Sequence, residues 1–131
     1  MILGIGTDIL AVSRMAAALE RRGESLGERL LHPLEMQRWQ QHELSVSWLA
    51  KRFAAKEALL KALGTGLRAG ISWHDMIILP DELGRPEVTW QGQAATRLEK
   101  LGTCRTLLTL SDEQHYVVAF AVIEAVQMNN G

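Results

Sequence analysis

One cysteine, Cys104, is all that the 131 residues contain, so an intrachain disulfide and any CxxC metal knuckle are excluded. That usage fits a reducing compartment, and Cys104 reads as a small buried hydrophobe. Prolines number only three and no low-complexity run occurs. With 47% hydrophobic and 22% charged residues, disorder is expected only in the tail Gln127–Gly131. No apolar run is long enough to span a bilayer, and the apolar amino terminus MILGIGTDILAV carries Asp8 and lacks a basic leader. It reads as a strand of a cytoplasmic protein with no membrane partner. A net charge of −1 excludes a globally basic nucleic-acid binder.

What is present points to one α+β domain covering residues 1–131. Ile2 to Leu10 reads as a strand, Ser13 to Arg22 as a helix ended by Gly23, and Pro33 to Gln41 as a short helix. A long helix starts at a Ser45 or Ser47 cap and stops at Gly64. Asp75–Leu79 and Glu87–Trp90 read as short strands around PDELGRP, Gln93–Leu101 as a helix, and Arg105–Leu110 with Tyr116–Val126 as a closing hairpin. The architecture expected is a mixed or antiparallel sheet packed with a long central helix. Trp48 and Leu59 point away from that helix's main apolar stripe, so it is either central in the domain or covered by another subunit, and with so few residues to wrap it an oligomer is favoured.

The chemistry concentrates in RFAAKEALLKALGTG. At about 100° per residue Val46, Leu49, Phe53, Leu60 and Leu63 form one apolar stripe, and Glu57 falls within roughly 40° of Phe53. A carboxylate on a core-facing helix, with Lys61 one turn on and Arg52 and Lys56 flanking, suggests a site. Asp8 supplies a second hard oxygen ligand from another element. Mg²⁺ takes one or two protein carboxylates and completes its shell with water and phosphate oxygens, which is what this pair offers. The basic residues would neutralise further phosphate oxygens, and the Gly64-Thr65-Gly66 loop lets backbone N–H groups approach them. The bland reading stays open beside it: Glu57 pairs with Lys61 at i, i+4, and Asp8 caps a nearby helix. Other strings fail. Neither GIGTDI nor GTGLRAG has a dinucleotide-binding context, no Walker lysine or HExxH occurs, and His32, His42, His74 and His115 lack ligand spacing. The first 70 residues hold ten basic against seven acidic side chains, so the basic excess lies with this half. Arg14, Arg21 and Arg22 read either as a solvated helix face or as a partner surface.

GIGTDI followed some fifty residues on by RFAAKEALLKALGTG resembles the holo-[acyl-carrier-protein] synthases, small bacterial phosphopantetheinyl transferases. LHPLE, ELGRPEV and LTLSDEQHYVVAFAV extend the resemblance over all but about the last five residues. It implies a homotrimer binding coenzyme A between subunits and moving its 4′-phosphopantetheine to a serine of apo acyl carrier protein, with adenosine 3′,5′-bisphosphate released, in fatty acid biosynthesis. Asp8 and Glu57 would hold Mg²⁺, Lys61 would sit at the reacting phosphate, and Arg52, Lys56 and Gly64, Thr65 and Gly66 near coenzyme A phosphates. Arg14, Arg21 and Arg22 would then face an acidic carrier. The serine proton would pass to a water oriented by Glu57 or Glu35, or to Glu57 directly. Many relatives carry a histidine after the serine of the closing hairpin, where this chain has Asp112 after Ser111. The alternatives are another Mg²⁺-dependent phosphotransfer or pyrophosphatase activity, and a noncatalytic module that binds coenzyme A or an acidic protein.

Overall fold

A strand whose inward face is Gly4, Gly6, Asp8 and Leu10 can approach a helix more closely than any other packing allows, and the fold is organised around that approach. The computed structural model describes residues 1–126, so the expectation about the Gln127–Gly131 tail lies outside the described residues. Strand β1 (Ile2–Ala11) leads into helices α1 (Val12–Arg22), α2 (Glu24–Leu30), α3 (Pro33–Gln41) and the long α4 (Val46–Leu63). A single 3₁₀ turn (Trp73–Asp75) precedes the hairpin β2 (Met76–Pro80) and β3 (Pro86–Trp90), then α5 (Gly92–Lys100) and the hairpin β4 (Cys104–Asp112) and β5 (Tyr116–Ala125). Both sheets are antiparallel. One has the order β1-β5-β4 and the other pairs β2 with β3.

Helix α4 starts where Ser45 Oγ accepts from the Trp48 N–H, and ends at Gly64 in the left-handed region at φ 83°. Its alanines govern the packing. Ala54, Ala55 and Ala58 are fully buried and Ala62 nearly so, and a Cβ placed on Gly6 or Gly4 would lie 1.9 Å from the Ala58 oxygen or 1.8 Å from the Ala62 oxygen. The β1-β5-β4 sheet therefore rests backbone to backbone on one side of α4, while α1, α2, β2 and the 3₁₀ turn close the others around one continuous core.

Three expectations change here. Helix α2 is a seven-residue element too short to show an apolar period. The two-sided apolar character of α4 is satisfied by its own chain, since Trp48 and Leu59 are both buried within the protomer. The unpaired apolar surface lies instead on the outer face of the sheet, where Ile5, Ile9, Leu107, Val118 and Phe120 are exposed. Cys104 is half-buried, its thiol donating to the Gly102 carbonyl.

Candidate active site

The close approach of β1 to α4 brings Asp8 to the helix. Lys61 Nζ donates to the Thr7 carbonyl at 2.8 Å and reaches Asp8 Oδ1 at 3.3 Å. Glu57, one turn before Lys61, faces the same place. Its partial burial pushes the carboxyl above the ordinary range, the Asp8 charge pushes it further, and Lys61 opposes both. Glu57, Lys61, Gly64, Gly66, Leu67 and Trp73 line an open cleft of about 500 Å³, and Thr65, between the two glycines, bonds its hydroxyl to the Gly66 carbonyl at 3.0 Å. The structure thus brings together Asp8, Glu57, Lys61 and the Gly64–Gly66 loop.

Glu57 is not a core carboxylate. Most of α4 is buried; Phe53 and Glu57 are half-buried and Lys61 exposed, spaced four apart on one strip, with Lys51 and the start of the first turn half-buried elsewhere. The stripe inferred from large apolar residues misplaced it because the alanines, not the large residues, mark the tightest contacts.

Lys56 departs furthest from expectation. Its side chain is fully buried, and Nζ donates to the Leu30 carbonyl (2.8 Å), Glu35 Oε1 (2.6 Å) and the Trp73 carbonyl (2.9 Å). All three donors of the ammonium are spent, so none is left for a phosphate. Burial lowers its pKa, against the charge and hydrogen bond of Glu35. Glu35 is equally enclosed. Oε1 also accepts from the His32 N–H at 3.0 Å, closing a capping box with the His32 ring, and Oε2 accepts from the Ile78 N–H at 3.0 Å. It lies outside the cleft and does not orient a water there.

Arg52 lines a different cavity of about 400 Å³ with Arg38, His42, Trp48, Lys51 and Asp112. Its Nε donates to the Ile78 carbonyl at 3.1 Å, its guanidinium lies 4.3 Å from the centre of the Trp48 ring, and His42 stacks near that ring at 5.9 Å. Burial lowers the Arg52 pKa. Asp112 lies 3.9 Å from Lys51 Nζ.

Arg14, Arg21 and Arg22 do converge, on a groove of about 370 Å³ floored by Met15, Leu26 and Phe53. The sequence reading missed Arg29, which α2 adds to the same rim, and Trp73, which lines both this groove and the Glu57 cleft and packs against Phe53 at 5.5 Å. The turn at Gly23 that folds α2 back beside α1 was the available signal for Arg29. The histidines are structural where their contacts are visible: His32 caps α3 and His74 bonds the Glu28 carbonyl.

A carboxylate pair beside a lysine, a glycine loop and a basic groove can hold a cation and phosphate groups. Residues 4–121 match the 4′-phosphopantetheinyl transferase superfamily, to which the chain belongs. Within it the chain falls among the holo-[acyl-carrier-protein] synthases. It is 45% identical to the holo-[acyl-carrier-protein] synthase of Salmonella arizonae over 95% of both chains. The crystal structure of the Neisseria meningitidis synthase superposes with a TM-score of 0.89 at 42% identity, covering 95% of this chain and 99% of that one. A Bacillus anthracis holo-(acyl-carrier-protein) synthase in complex with CoA (3′,5′-ADP) aligns with a TM-score of 0.78 at 29% identity, over 96% and 99%.

Proposed function

We propose that this enzyme transfers the 4′-phosphopantetheine of coenzyme A to a serine hydroxyl of an apo acyl carrier protein in fatty acid biosynthesis, in the cytoplasm. The observation that carries the reading is the junction at Trp73. A cleft built for phosphate chemistry meets there an arginine-rimmed apolar groove of the kind that an acidic, amphipathic partner fits.

The donor set fits Mg²⁺. Asp8 and Glu57 are the two carboxylates at the site, Asp8 raises the pKa of Glu57 in a way that a cation would relieve, and no group of three His, Cys, Asp or Glu among the described residues forms a complete cage. Two carboxylates with room for phosphate and water suit Mg²⁺ better than Zn²⁺. When bound, the ion would neutralise charge on the pyrophosphate as the phosphoryl group is transferred.

The serine oxygen forms its bond to the pantetheine-side phosphorus as the bond to adenosine 3′,5′-bisphosphate breaks. Lys61, held by the Thr7 carbonyl and Asp8, places a fixed positive charge at the phosphates. Gly64 and Gly66 line the same wall, but the Gly64 N–H is taken by the Leu60 and Lys61 carbonyls at the end of α4 and is not offered to a phosphate. With Glu35 enclosed elsewhere, Glu57 is the carboxylate left at the cleft to orient the water that takes the serine proton.

The Arg52 cavity and the Glu57 cleft are separate on one protomer. A coenzyme A that meets both does so across a subunit boundary, in a homotrimer assembled through the outer apolar face of the sheet. Arg52, beside Arg38 and Lys51, then meets a phosphate of coenzyme A from the neighbouring subunit.

The test is the intact mass of an apo acyl carrier protein after incubation with the enzyme, coenzyme A and Mg²⁺. A gain of one phosphopantetheine, lost in EDTA, is expected. An unchanged carrier mass under all conditions refutes the reading.

A further inference from the structure

The buried ion pair Lys56–Glu35 lies outside the reacting cleft, yet it reaches both walls of the junction that the proposed reaction uses. Its Nζ holds the Leu30 carbonyl, at the end of α2, and the Trp73 carbonyl, at the start of the 3₁₀ turn. Through Glu35 it also reaches the start of α3 and the Ile78 N–H of β2. One point on α4 therefore ties down four other segments.

Two of those segments are short; they meet where His74 Nε2 bonds the Glu28 carbonyl at 2.8 Å, and Asp75 ties the turn to Ser72, Gln91 and Ala94, but the Leu30 and Trp73 carbonyls are held by Lys56. Helix α2 has seven residues, a length at which isolated helices do not hold, and its last carbonyls need partners from outside the helix. The 3₁₀ turn is three residues long. Leu26, Arg29 and Leu30 of α2 form one side of the arginine groove, and the Trp73 ring forms the partition between that groove and the Glu57 cleft.

A hydrophobic side chain of similar volume would fill the space around Lys56, and with Glu35 neutralised as well the cost falls to that of the Leu30 and Trp73 carbonyls left without a donor, because buried ion pairs contribute little net stability over apolar replacements. It could not aim two carbonyls at one atom. The pair's directional bonds thus do something that packing does not supply.

We propose that Lys56 and Glu35 are positioning residues of the transfer reaction: by fixing the Leu30 and Trp73 carbonyls they hold α2 and the Trp73 partition so that a carrier serine in the arginine groove reaches the Glu57 cleft. The inference rests on the transferase reading above. It assigns these two residues to the carrier side of the reaction, not to coenzyme A.

The experiment compares the wild type with the double variant Lys56→Met/Glu35→Gln, which removes both charges and keeps the volume. Steady-state transfer is measured at a temperature where circular dichroism shows both to be folded. The double variant is expected to lose about tenfold or more in kcat/KM for the carrier, a misplacement effect, while the KM for coenzyme A stays within about twofold. Trp73→Ala, which alters the partition without touching a buried charge, is expected to show the same split, and it decides the matter if the double variant does not fold. Full carrier kcat/KM in a folded variant, or a loss confined to the KM for coenzyme A, overturns the positioning role. A wild type that transfers nothing overturns the functional reading itself, whereas wild-type transfer with unaffected variants overturns only this inference.

Discussion

Replacing Gly6 by alanine tests the link between backbone packing and chemistry most directly. The new Cβ would lie 1.9 Å from the Ala58 carbonyl oxygen, whereas real Cβ atoms essentially never approach a neighbour within 3.0 Å, so β1 must retreat from α4 by about 1.1 Å. The obstacle is helix backbone, which cannot swing aside. Overpacking of this kind costs about 1–3 kcal/mol. At roughly 3–5 °C per kcal/mol for a chain of this size, the melting temperature should fall by about 3–15 °C. Asp8 is two residues along the same face, and its Oδ1 is 3.3 Å from Lys61 Nζ. The same retreat would carry that pair beyond 4 Å, and a displacement of about 1 Å at a phosphoryl-transfer site can cost on the order of 100-fold in rate. Thermal unfolding followed by circular dichroism gives the first quantity. The rate of phosphopantetheine addition to carrier, below both melting transitions, gives the second. A Gly6→Ala protein that melts within 2 °C of wild type and works within twofold of its rate would refute the argument.

Four further outcomes follow from the same geometry. Lys56→Met alone leaves the Glu35 charge buried and the Leu30 and Trp73 carbonyls without their donor, so urea unfolding should show a loss of about 3–5 kcal/mol. Glu57→Gln should stay folded and lose transfer. A carboxyl whose pKa is raised in the folded state penalises folding increasingly as pH rises from its unfolded to its folded value, so in EDTA the melting temperature of the wild type should fall across that interval while the variant's stays level. Arg21→Glu should raise the KM for the carrier far more than that for coenzyme A, and added salt should weaken the wild-type reaction, both read by steady-state kinetics. Phe120→Asp, on the exposed sheet face, should shift sedimentation toward the monomer and lower activity with it.

Much of the fold was legible because it is written in local signals. The glycines at 23 and 64, the Ser45 cap and Pro33 delimit helices by backbone chemistry alone, and β-type runs around SDEQH mark the closing hairpin. Glu57, Lys61 and the Gly64–Gly66 loop were legible as neighbours because they follow one another along the end of one helix, and Asp8 as a second hard oxygen donor from another element. Their grouping as a site needed the strand and helix to meet.

The structure decided what depends on which surfaces touch. Lys56 and Glu57 are adjacent in sequence and both charged, yet one is sealed behind three acceptors and the other opens onto a cleft, because the turn of the helix sends them to different neighbours. Arg52 likewise looks like part of the Glu57 cluster along the chain and lies in another cavity. The sequence by itself determined most of the elements and their order, with α2 the exception, and marked Asp8, Glu57 and Lys61 as candidates, since propensity, capping and charge are properties of short segments. Only the tertiary structure decided which charges are available to a substrate, because burial and the direction of hydrogen-bond acceptors arise from segments far apart in the chain.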